Sequence, residues 1–80
     1  MKRKYYTAAV IDERGAVVAQ ITRYAMNSAI EATVTMVRDA ARNEGTFYHG
    51  DRPERIEQVY TRRWVSDTGR VLTARASLAS

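Results

Sequence analysis

The chain has no cysteine, one proline, one tryptophan, one phenylalanine and one histidine among its 80 residues. Without cysteine, neither a disulfide nor a thiolate-bound metal can hold so short a chain together, so a hydrophobic core must. The same absence suits a reducing compartment. A single histidine, His49, excludes paired-imidazole chemistry and has no nucleophile or second base beside it in the sequence. The four glycines fall at turns or at a helix end, which leaves no glycine-rich phosphate loop. No stretch approaches the ~20 apolar residues of a membrane-spanning helix. The basic start, Lys2, Arg3 and Lys4, is followed by a short segment that reaches Asp12 at once, unlike a secretion signal. These absences predict a cytoplasmic protein with no catalytic residues, no cofactor and no metal.

What is present is arginine and a repeated hairpin pattern. The net charge is +4, and it is unevenly spread: residues 1–26 carry +3, residues 27–57 carry −2 and residues 58–80 carry +3. Basic flanks around an acidic middle predict an oriented field and an anionic partner. Tyr6-Thr7, Val10-Ile11, Gly15 and Val17-Val18 recur 54 positions later as Tyr60-Thr61, Trp64-Val65, Gly69 and Val71-Leu72. Each turn also has an acid two positions before its glycine, Glu13 in one and Asp67 in the other.

Residues 4–12 and 16–24 read as strands about Asp12-Glu13-Arg14-Gly15. A type I turn with Gly15 left-handed pairs Asp12 with Ala16, and counting outward sets Ile11 against Val17, Ala9 against Ala19 and Thr7 against Ile21. That face is apolar. The other face holds Tyr6, Ala8, Val10 and Val18 with Gln20 and Thr22, so it is half apolar as well. The second hairpin, residues 58–66 and 70–78, divides more cleanly. Tyr60, Trp64, Leu72, Ala74, Ala76 and Leu78 share a core face, and Thr61, Arg63, Val65, Val71, Thr73 and Arg75 share a solvent face. If the hairpins are copies, Tyr6 and Val10 lie beside the helix as Tyr60 and Trp64 do, whereas the apolar count favours Ala9, Ile11 and Ile21. The expectation is that the first hairpin is covered on both faces, by the helix and by a homodimer partner with Tyr6, Val10 and Val18 at or near the interface.

Between the hairpins, Ser28-Ala29-Ile30-Glu31 matches a capping box and predicts a helix from about Ala29 to Glu44, closed by Gly45. Ile30, Val34, Val37 and Ala41 form its apolar stripe, flanked by Thr33, Met36 and Ala40. Residues 46–49 are a candidate short strand, and residues 50–57 read as a charged loop that Pro53 keeps out of any central strand. The fold class is therefore α+β: one small domain over residues 1–80, an antiparallel sheet of two hairpins with one helix on one face.

For function, Asp51, Glu54 and Glu57 lack the spacing and turn glycine of a calcium loop. Arg63 and Arg75 are diagonal neighbours on the solvent face of the second hairpin, and Arg62, Arg70 and Lys4 extend the candidate partner-binding set. A two-stranded ribbon fits the major groove of DNA, and Tyr5, Tyr6 and Tyr60 offer stacking surfaces for unpaired bases. No recognition helix, zinc finger or RNA-binding aromatic motif accompanies them. Arginine and tyrosine are equally suited to a protein interface.

In its small size, lack of cysteine, single helix on an antiparallel sheet and lack of a catalytic constellation, the whole chain resembles small phage and mobile-element inhibitors, anti-CRISPR proteins in particular. The likeness is one of size and shape, with no shared motif, so no residue's role carries over. It implies a non-enzymatic protein that blocks a host nucleic-acid-processing complex by stoichiometric occlusion. The basic hairpins depart from acidic DNA mimics and imply a host protein or ribonucleoprotein with an acidic surface as partner, with weak nucleic-acid binding. The alternatives are a DNA- or RNA-binding domain using the second hairpin, and a homodimeric structural or regulatory protein.

Overall fold

A computed structural model describes residues 4–45 and 47–79. The order is β1 (Tyr6–Asp12), β2 (Val17–Arg23), α1 (Met26–Glu44), β3 (Tyr48–Gly50), β4 (Glu54–Ile56), β5 (Val59–Ser66) and β6 (Val71–Leu78). All pairings are antiparallel, in the order β2-β1-β6-β5-β3, with β4 also on β5. The fold is α+β, with the helix packed on one face of the sheet. Among the described residues, no helix is long and apolar enough to cross a membrane.

The two hairpin turns have the same geometry. Asp12 N–H donates to Ala16 C=O and Gly15 N–H to Asp12 C=O; 54 positions on, Ser66 N–H donates to Arg70 C=O and Gly69 N–H to Ser66 C=O. Gly15 and Gly69 have φ of 83° and 87°, the left-handed region that a side chain would strain. Side-chain oxygens at the matching positions complete both loops. Asp12 Oδ1 accepts from the Arg14 and Ala16 amides, and Ser66 Oγ accepts from the Arg70 amide.

The second hairpin keeps the register read from the sequence, with Tyr60 opposite Ala76, Trp64 opposite Leu72 and Val65 opposite Val71. The first departs from it after one pair. Ile11 meets Val17, but a bulge then sets Val10 opposite Ala19, Ala9 opposite Gln20, Ala8 opposite Ile21 and Thr7 opposite Thr22. The extra residue, Val18, resolves the clash between the two readings. It moves Ala19 and Ile21 onto the face of Ala8 and Val10, and Gln20 and Thr22 onto the other. The helix therefore covers matching faces of both hairpins.

Two adjoining clusters form the core. One joins Ala8, Met26, Ala29, Tyr60 and Ala76; the other joins Val10, Val37, Leu72 and Ala74, with Trp64 and Tyr48 packed partly against it. Trp64 is on the helix side as expected, though only half-buried. Val10 is wholly enclosed, so it is not available to the dimer interface expected of it; Tyr6 is half-buried and Val18 is exposed.

The helix differs from expectation at its start and in its facing. It begins at Met26, with Ala25 extended in the cap position and no side-chain cap bond, so Ser28 lies inside the first turn and the capping box does not form. Burying Met26 in the core favours the earlier start. The buried line runs through Met26, Ala29, Thr33 and Val37, so the stripe is rotated from the Ile30-Val34 line and centres on Thr33. The Thr33 hydroxyl donates to Ile30 C=O at 2.6 Å, which lets a polar side chain sit fully enclosed. Gly45 closes the helix in the left-handed region, its N–H reaching Ala41 and Arg42 C=O.

The segment read as a charged loop is partly strand. β3 and β4 lie end to end along β5, with residues 51–53 opposite Arg62 and Arg63, one residue more than the ladder needs. Pro53 sits in that bulge at the sheet edge, where its missing N–H leaves no ladder bond unmade. The candidate strand at 46–49 forms as Tyr48–Gly50, with Thr46 outside the described residues.

Candidate binding face

One face of the sheet is roofed by α1; the other has no element over it among the described residues. This open face carries Thr7, Ala9 and Ile11 from β1, Val71, Thr73, Arg75 and Ser77 from β6, and Val59, Thr61, Arg63 and Val65 from β5. The alternation read from the second hairpin places Arg63 and Arg75 there, diagonal through the pairs Thr61–Arg75 and Arg63–Thr73. Gln20 and Thr22 extend the face at β2, and His49 at β3.

The five arginines and lysines expected to bind a partner have different fates. Arg75 is exposed at the centre of the face and makes no ion pair among the described residues. Arg63 is exposed but held, its Nε and Nη2 each 2.8 Å from Asp51 Oδ2. Arg70 joins the two hairpins: its Nε donates to the Glu13 carboxylate at 3.2 and 3.3 Å, and the Val71 amide donates to Glu13 Oε2 at 2.9 Å. This use of Arg70 is not marked by the residues around it. Its only trace in the sequence is the acid before Gly15. The Val71 amide first, and then the Arg70 side chain, hold the Glu13 carboxyl below its ordinary 4.5.

Arg62 belongs to the opposite face. Neighbouring residues on a strand point to opposite sides, so it shares the helix side with Trp64, its guanidinium 4.4 Å from the indole centroid and its Nε donating to Asp51 C=O at 2.7 Å. It crosses the edge strand above Gly50, where an added Cβ would meet its Nε at 2.5 Å. Lys4 is exposed beyond the end of β1, and Lys2 and Arg3 lie outside the described residues. Tyr60 is in the core, so it is not a stacking platform; Tyr5 is exposed.

The acids of the 51–57 segment are not brought together: among the described residues, no group of three metal-ligating side chains forms. Asp51 serves Arg63 instead, and His49 Nε2 lies 3.1 Å from Asp67 Oδ1. An open groove of about 470 Å³ runs beside this edge, lined by Asp51, Arg52, Glu54, Thr61, Arg62, Arg63 and Thr73. A second, of about 670 Å³, lies on the helix side between Val37, Arg38, Ala41, Arg42, Phe47, Tyr48 and Trp64. Phe47 is 77 % exposed at its rim. The first groove mixes both signs of charge on a shallow floor. Compared with protein-family models, with curated proteins and with solved structures, the chain matches none.

Proposed function

We propose that this is a non-enzymatic binding protein whose working surface is the open face of the sheet, acting by stoichiometric occlusion of an acidic protein or ribonucleoprotein surface. The observation that carries the reading is the uncovered face itself, with Arg75 exposed among threonines and small apolar residues of β1, β5 and β6. Arginine set in a flat, semi-apolar patch is the composition of an interface centre. A nucleic-acid-processing complex as the target follows from the likeness in size and shape to phage inhibitors, and the cytoplasm as the place of action from the absence of cysteine. Direct nucleic-acid binding has less support. Of the three second-hairpin arginines expected to serve it, Arg63 is matched by Asp51 and Arg70 by Glu13, which leaves Arg75.

The experiment compares charge reversal on the two sides. Arg75→Glu on the open face should abolish one-to-one capture of the target from a bacterial lysate, while Arg38→Glu on the helix should leave it intact. Both sites are exposed, so both variants should fold, as circular dichroism would check. Loss with Arg38→Glu and retention with Arg75→Glu would refute the assignment of the face.

A further inference from the structure

The two edges of the sheet are built differently. The outer edge along β5 consists of β3 and β4, three residues each, interrupted by the bulge at 51–53 with its proline and bordered by Asp51, Arg52, Glu54 and Arg55. Short strands, a bulge, proline and charge all keep an edge from pairing with another chain. β2 at the other edge runs seven residues as VVAQITR, with no proline and no charge before Arg23. Its own bulge lies near one end, at Val18, and 19–23 are regular. Val17 and Val18 are 56 % and 47 % exposed.

Two hydrogen bonds reveal which backbone groups of β2 point outward. Asp12 N–H bonds to Ala16 C=O on one side of β1, and Ala79 N–H bonds to Tyr5 C=O on the other. Even-numbered β1 residues therefore bond toward β2 and odd-numbered ones toward β6. Opposite the even set stand Ala19, Ile21 and Arg23, so Gln20 and Thr22 turn their N–H and C=O away from the sheet. Among the described residues, no strand receives them.

We propose that β2 pairs antiparallel with β2 of a second copy, about a two-fold axis at Gln20. Such an axis must pass through a residue pair; Gln20 is the midpoint of Val17–Arg23 and turns its own N–H and C=O outward, so it can bond to its own copy across the axis. Gln20 then exchanges both backbone bonds with Gln20 of the second copy, and its side-chain amide, donor and acceptor at once, matches itself. Ala19 meets Ile21, and Arg23 lies away from its own copy, so no like charges face each other. The axis stands perpendicular to the sheet, which places both helices on one side and both open faces together on the other. This is an edge contact, not the face contact expected from the sequence.

Sedimentation at high micromolar concentration tests it. The chain should sediment at twice its 9.1 kDa mass, and Gln20→Lys, which sets two ammonium groups across the axis at an exposed position, should return it to 9.1 kDa with its circular dichroism unchanged. Because the chain has no cysteine, Gln20→Cys supplies one thiol per copy. It should oxidise quickly to a covalent dimer, while Glu31→Cys on the exposed helix face should not. A monomer at every concentration would overturn the proposal and leave the edge to a strand of another protein. A dimer that survives Gln20→Lys, or equal cross-linking at both sites, would overturn it as well.

Discussion

At the residue scale, the most informative side chain is Glu13. It sits in the first hairpin's turn, yet its partners, the Val71 amide and Arg70, belong to the second hairpin, so one carboxylate joins the two halves of the sheet. Because these bonds lower its pKa in the folded chain, they stabilise the fold at neutral pH. That contribution is present above the unfolded carboxyl value and is lost as pH falls through the lower folded value. Glu13→Gln should therefore be less stable than the parent at pH 7 in urea titrations. The gap should close in acid, and a gap that widened there would contradict the assignment. Trp64 supports a second prediction. Its Nε1 is enclosed with no acceptor among the described residues, and an unpaired buried donor costs about 1–3 kcal/mol. Trp64→Phe keeps an aromatic ring beneath Arg62 and removes that donor, which offsets the smaller ring area. Its stability should stay within about 1 kcal/mol of the parent. By contrast, Leu72→Ala, at a wholly enclosed position, should cost about 2–5 kcal/mol and unfold much of the population. A Trp64→Phe loss as large as that of Leu72→Ala would mean that the indole N–H has a partner in solution.

At the element scale, the start of the helix makes the sharpest test. Ala25 has the extended geometry of a cap residue but offers no oxygen to the free amides, while Ser28 lies a turn too far along to serve them. Ala25→Asp should add about 0.5–2 kcal/mol in denaturant titrations, and Ser28→Ala should change little. The opposite order would restore the capping box. The same contrast shows why some elements were legible in the sequence and others were not. Both turns were, because a left-handed glycine after an Asp or Ser leaves few other conformations. So was the second hairpin, whose faces differ sharply in polarity. The bulge at Val18 was hidden because the first hairpin is apolar on both sides, and a one-residue shift costs the pattern nothing that a reader can see. The position of Met26 was hidden because burial in tertiary packing, not local capping, favours the earlier helix start. Of the open face, Arg63 and Arg75 were legible from strand alternation alone. The diversion of Arg70 to Glu13 and of Arg63 to Asp51 depends on contacts 57 and 12 positions apart, which no local pattern records.

At the scale of the whole molecule, the helix and core occupy one side of the sheet and an uncovered, mixed arginine-threonine surface occupies the other. We attribute function to that surface and attribute the pairing of two copies to the β2 edge. The two are independent, since a monomer with a working open face and a dimer with two are both consistent with the same core. Occlusion of a protein surface and direct capture of nucleic acid make different demands on charge. After internal pairing, the open face retains Arg75 as its unmatched sheet arginine among the described residues, which gives a guanidinium to steer with and no run of phosphate contacts. The most direct measurement is a titration of the purified chain against short duplex and single-stranded oligonucleotides at near-physiological salt. Occlusion of a protein surface predicts only featureless affinity, at the ~10⁻⁴–10⁻⁶ M of non-specific cationic attraction. Sub-micromolar binding with a sequence or strand preference, lost in Arg75→Glu, would contradict it.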